Sequence, residues 1–259
     1  MSAPQVAVQS SPGTLAASVA ARLTTRLVDI QATGRIPSVV LTGGGIGIAV
    51  LELVLDAAAR DAVDWRRVDF WWGDERYVAA GDPERNDVQA REALLDHVAV
   101  DPTRIHAFPA ADGPHGQDVD AAADAYAAEL RTHARPEDHG PVPRFDVLLL
   151  GIGEEGHTAS IFPESPAAYE ERPVVAVRNC PKPPPTRLTL TFPSLCAAQE
   201  VWIVAAGAAK ANPVAMALSG AGQVQVPAAG ARGRGRTLWL LDRAAAAKLP
   251  PSLLRLPVS

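Results

Sequence analysis

The segment that most restricts the fold is FDVLLLGIG, residues 145–153, an almost unbroken apolar run that stops at glycines. A strand with one solvated face alternates apolar and polar residues. A run without alternation belongs to a strand covered on both faces, as in a parallel sheet between layers of helix. Similar runs recur at residues 38–41 before TGGGIG, 68–72 before GDER, and 201–205 before GAAK. Further strands are expected at 174–177, 187–191 and 237–241. Between them lie helical patterns. Leu15, Val19, Leu23, Leu27 and Ile30 recur at helical spacing after Ser11-Pro12 and before Gly34, which predicts a helix over 14–32. Other helices are expected over 48–60, 86–97 and 118–133.

Alternating strands and helices joined by right-handed crossovers predict an α/β fold, doubly wound, with a mostly parallel sheet and helices on both faces. A single domain is expected over residues 1–259. In such folds the binding crevice lies beyond the carboxyl ends of the strands. TGGGIG, GDER, GIGEEGH and GAAK all fall there.

Composition narrows the partners. A formal charge of -5 supplies no broad basic surface for nucleic acid. Arg232, Arg234 and Arg236 form the one basic cluster, in a glycine-rich stretch expected to be a solvated loop. No run of eighteen apolar residues suggests a membrane span, and the N-terminal region lacks the pattern of a secretory signal. Cys180 and Cys196 have no Cys or His neighbours at metal-ligand spacing. A cytoplasmic protein acting on small molecules, with no metal and no cofactor, is expected.

Each strand-end loop carries candidate chemistry. Thr42, Gly43, Gly44 and Gly45 precede a helix start, where free backbone N–H groups and the helix dipole favour an anion such as phosphate. The spacing fits neither a dinucleotide fingerprint nor a P-loop, and a purely structural turn is the alternative. Asp74, Glu75 and Arg76 are either a surface ion-pair cluster or a polar group delivered to the crevice. His157 follows Gly151, Gly153 and Gly156, and histidine takes up a proton near neutral pH, with Glu155 placed to orient it. The other histidines, 97, 106, 115, 133 and 139, show no metal-ligand spacing. Lys210 is one of three lysines, beside Lys182 and Lys248, in a chain that otherwise uses arginine. Lys210 and Arg187 suit a phosphate or are plain surface charges.

In order and spacing, TGGG at Thr42, DERYV at Asp74, GIGEEGHTASIFP at Gly151, KPPPTRLTLTF at Lys182 and GAAK at Gly207 resemble the 6-phosphogluconolactonase family. The resemblance covers nearly the whole chain, and the His-Thr-Ala-Ser-Ile-Phe-Pro run is its most specific part. It implies cofactor-free hydrolysis of 6-phospho-D-glucono-1,5-lactone to 6-phospho-D-gluconate, the second step of the oxidative pentose phosphate pathway. By the same resemblance, His157 would be the general base. Arg76 and loop amides would meet the oxyanion, and Lys210, Arg187 and residues 42–45 would hold the 6-phosphate. Asp74 and Glu155 complete the candidate catalytic set. The partner would be a sugar phosphate, and the protein a monomer or small homo-oligomer.

Two segments depart from the family pattern. Glu155 stands where aspartate is usual, and Gly45, Ile46 and Gly47 replace Ser-Thr-Pro, leaving phosphate to backbone amides and Thr42. A related aminosugar-phosphate isomerase/deaminase is the first alternative, but that group continues Asp-Glu-Tyr and Gly-His-Ile-Ala-Phe, unlike Arg76 and Thr158-Ala159-Ser160. A sugar-phosphate sensing module is the second, and would need a DNA-binding helix-turn-helix that the N-terminal region does not show.

Overall fold

A computed structural model describes residues 3–253. Six strands form a parallel sheet: β1 (Gln5–Gln9), β2 (Ser38–Leu41), β3 (Asp69–Trp72), β5 (Val147–Leu150), β8 (Glu200–Ala205) and β9 (Arg236–Asp242), in the order β1-β9-β8-β5-β2-β3. The expectation of a doubly wound α/β fold holds. Strands β5 and β8 are buried at every position, which is why their sequences show no alternation.

The helices are α1 (Pro12–Ala32), α2 (Gly45–Asp56), α3 (Asn86–Ala93), α4 (Val119–His133), the single turn α5 (Phe192–Leu195) and α6 (Ala211–Leu218). In α1 a capping box between Ser11 and Thr14 closes the first turn, and Leu15, Val19, Leu23, Leu27 and Ile30 form its buried stripe. Helix α2 packs between α1 and α3, and α4 packs on the second sheet. Two expected helices end early. The one expected to reach residue 60 stops at Asp56 and the one expected to reach 97 stops at Ala93, each followed by a short 3-10 turn.

A second sheet takes two of the later expected strands. It is antiparallel, with order β4-β7-β6, from β4 (Asp74–Arg76), β7 (Arg187–Leu190) and β6 (Val174–Val177). GDER is therefore not a loop. Only Gly73 separates β4 from β3, and Gly73 N–H donates to the Leu41 carbonyl at 3.2 Å while its own carbonyl accepts from Leu190 N–H at 2.9 Å. One hydrophobic core joins both sheets. The solvated loop expected at Arg232, Arg234 and Arg236 is shorter than that: Arg232 and Arg234 are exposed, while Arg236 begins β9 and pairs with Glu200 at 3.5 Å. No helix among the described residues is long and apolar enough to cross a membrane.

Candidate active site

Thr42, Gly43, Gly44, Gly45, Asp74, Arg76, His157, Arg187 and Lys210, expected separately from four loops and a strand, line one cleft of about 760 Å³. Its floor is the carboxyl end of the parallel sheet. Gly44 caps α2 at φ 83°, a backbone setting that disfavours side chains, and no side chain caps the helix, so its first-turn N–H groups stay available to an anion. Gly43 is required for a different reason. A Cβ there would overlap the side-chain amide of Asn86, which donates to the Asp74 carbonyl at 2.8 Å. Asn86 Oδ1 is buried at the cleft wall without a partner.

In the β4–β7 ladder Arg76 pairs with Arg187, so the two guanidinium-bearing residues leave the sheet on the same side. Arg76 donates to the Glu84 carbonyl, and its Nε is buried without a partner. Arg187 gives Nε to the Pro184 carbonyl at 3.2 Å and Nη2 to the Lys182 and Pro183 carbonyls at 3.1 and 3.2 Å, which clamps the proline-rich loop and leaves Nη1 toward the cleft. The neighbouring Glu75 points away from the cleft. Its buried carboxyl group accepts from Arg76, Asn86 and Asp87 N–H at 2.8, 2.7 and 2.9 Å and so anchors the first turn of α3. Asp74 accepts from Ser160 Oγ at 2.6 Å, tying β4 to the His157 loop.

The tight turn after β5 places His157. Gly153 N–H donates to the His157 carbonyl at 2.9 Å, and a Cβ on Gly153 would overlap the imidazole and the Glu155 carboxylate. The ring packs on Phe162 with centroids 4.5 Å apart. The glutamate that replaces the family's aspartate does reach the ring: Glu155 Oε1 lies 3.1 Å from Nδ1. The approach is off the hydrogen-bonding direction, so the contact is electrostatic in this geometry. The other oxygen, Oε2, lies 3.1 Å from Lys182 Nζ.

Charges around the ring act in opposition. Burial lowers the His157 pKa below the ordinary histidine value; Glu155 and Asp74 raise it and Lys182 lowers it. The ring is therefore neutral at physiological pH, the form that accepts a proton. Burial works against the Glu155 charge, but backbone hydrogen bonding, His157 and Lys182 hold its carboxyl below the usual glutamate range. Burial also lowers the Lys210 pKa. Lys182 and Asn86 were not among the expected site residues. The scarcity of lysine that singled out Lys210 applied equally to Lys182, whereas nothing local to Asn86 signals its place.

A neutral histidine facing a cleft rimmed by arginine and lysine, at the carboxyl edge of a parallel sheet, is the layout of an enzyme for small anionic substrates. The family model for glucosamine-6-phosphate isomerases/6-phosphogluconolactonase matches residues 10–239, and the chain belongs to that family. It is 59% identical to the 6-phosphogluconolactonase of Streptomyces coelicolor over 96% of each chain. It is 51% identical to that of Mycobacterium tuberculosis over 82% of this chain and 85% of the relative. The solved 6-phosphogluconolactonase of Trypanosoma brucei superposes with a TM-score of 0.82 at 29% identity, covering 95% of this chain and 99% of that one.

Proposed function

We propose that the cleft hydrolyses 6-phospho-D-glucono-1,5-lactone to 6-phospho-D-gluconate, with His157 as general base. What supports the mechanism is the place of His157 in the cleft wall, with Glu155 Oε1 3.1 Å from Nδ1 and burial that favours the neutral ring, so that Nε2 is the nitrogen assigned to water. Nε2 takes a proton from water as its oxygen bonds to the lactone carbonyl carbon. The oxyanion that develops is met by Arg76 and loop amides. Collapse of the tetrahedral intermediate breaks the bond to the ring oxygen, which receives the proton from His157. Glu155 is a positioning residue: its charge beside Nδ1 favours the proton on that nitrogen and stabilises the imidazolium formed in passing.

The 6-phosphate is held by Lys210, Arg187 Nη1 and the amides of residues 42–45 with the Thr42 hydroxyl, which fixes the ring against the base. Asn86 Oδ1 is an acceptor suited to a sugar hydroxyl. The family's aminosugar-phosphate activity is disfavoured by Arg76 and by Ser160, which is committed to Asp74. We place the enzyme in the cytosol as a monomer or small homo-oligomer.

The test is hydrolysis of freshly generated lactone, corrected for spontaneous opening, by wild type and His157→Ala. General-base catalysis accounts for a loss of roughly 100-fold or more. Activity equal to wild type in the variant would remove His157 from the role, and ammonia release from glucosamine 6-phosphate at enzymatic rates would replace the reaction itself.

A further inference from the structure

Away from the cleft, the fold brings together two histidines that show no metal-ligand spacing in the sequence. His106 and His133, far apart in sequence, meet beside Glu129 with one ligand atom from each residue within 4.8 Å of the others. His106 follows Ile105, which bridges to Phe70 and extends the edge of the parallel sheet beyond β3. Its ring is buried and stacked on Trp71 with centroids 3.8 Å apart and planes 11° apart. Nδ1 lies 2.8 Å from Glu129 Oε1. Glu129 and His133 are one turn apart on α4, and the His133 ring sits 4.5 Å from that of His106.

We propose that His106, Glu129 and His133 bind a first-row divalent metal ion, with Zn²⁺ as the best match. Two imidazoles and a carboxylate are a donor set for such ions, and Zn²⁺ accepts water as a fourth ligand. A metal-binding histidine characteristically donates its second ring N–H to an acceptor, and His133 has one. His133 Nδ1 lies 3.0 Å from the Glu129 carbonyl, leaving Nε2 for the metal. His106 Nε2 is buried without a hydrogen-bond partner and faces Asp69 Oδ1 at 3.7 Å, which leaves Nδ1 for the metal. Asp69 is itself held by Arg104 at 2.7 Å. The Glu129 side chain is 39% exposed and His133 is exposed, so an ion enters from solvent and displaces the proton between His106 and Glu129. Asp69 begins β3, whereas the cleft lies beyond its far end. The ion therefore clasps α4 to the sheet edge and takes no part in lactone hydrolysis.

The test is calorimetric titration of the EDTA-treated full chain with ZnCl₂, repeated with Co²⁺ to follow its visible absorbance. One site is expected in wild type, with a rise in Tm on adding Zn²⁺. His133→Ala and Glu129→Gln should each weaken binding by about tenfold or more and remove the Co²⁺ band, while His133→Ala keeps wild-type lactone hydrolysis. Both residues reach the surface, so the variants should fold. The proposal is overturned if wild type binds neither ion, if both variants bind like wild type, or if His157→Ala rather than His133→Ala abolishes binding.

Discussion

Arg76 and Arg187 stand directly opposite each other across the short β4–β7 ladder at the wall of the cleft. Like charges placed this way repel unless an anion lies between them. The substrate brings a phosphate and the reaction creates a second anion, so 6-phosphogluconate should raise the Tm of wild type, and Arg76→Met should reduce that rise. Thermal shifts of equal size in the two proteins would show that the pair does not meet the ligand.

Lys210→Ala should act on binding. Losing one charge-assisted contact to phosphate costs about 1.5–3 kcal/mol, or roughly a 10- to 150-fold rise in KM, with a smaller change in kcat. A Michaelis constant at the wild-type value would take Lys210 out of the phosphate site.

The acid limb of kcat/KM reports protonation of the free enzyme's base. Because burial lowers the His157 pKa, that limb should lie below the ordinary histidine value of 6.5. Its neighbours give predictions of opposite sign. Lys182→Met removes a charge that lowers the pKa and should move the limb to higher pH; Glu155→Gln removes one that raises it and should move the limb to lower pH. Profiles that coincide in all three proteins would mean that another group sets the limb.

Gly153→Ala places a methyl group where the imidazole and the Glu155 carboxylate now sit. Activity should fall by roughly 100-fold, as for loss of a general base, while the circular dichroism spectrum stays that of wild type. An alanine variant of wild-type activity would show that the turn can re-form around the extra carbon.

Glu75 connects pH to stability. Burial pushes its carboxyl up to about 8, against the opposing pull of Arg85 and the amides of Asn86 and Asp87. Between 4.5, its unperturbed value, and about 8 the folded state holds a proton that the unfolded chain has released. Stability attributable to this group therefore declines as pH rises through that window and levels off above it. Glu75→Gln should flatten this decline in urea unfolding and, by setting an amide against backbone N–H donors, cost about 1–3 kcal/mol. The same slope in both proteins would assign it elsewhere.

What could be read from the sequence follows from where the information lies. β5 and β8 announce themselves because burial on both faces demands unbroken apolar residues, and the loops after them inherit a position at the carboxyl edge. β1 escapes notice because it is a short edge strand, only partly buried. β4 escapes because three charged residues become a strand only through pairing with β7, which comes much later in the chain. The same limit hid Asn86 and the His106–Glu129–His133 group, whose neighbours are set by tertiary packing. His157, Glu155 and Lys210 were legible from a glycine-rich turn and a rare residue type. Whether Glu155 reached the ring was not, since one methylene is decided by rotamer and packing.

The hydrogen bond from Ser160 to Asp74 spans 86 positions of chain, and it ties β4 to the His157 loop. Closing so long a loop has a large entropic cost, which is recovered only after much of the intervening chain has ordered. Lactone-opening activity should therefore return later than helical circular dichroism when the unfolded chain is diluted from urea. Catalysis in this protein is then a report on the completion of folding, whereas helix content registers only its early progress.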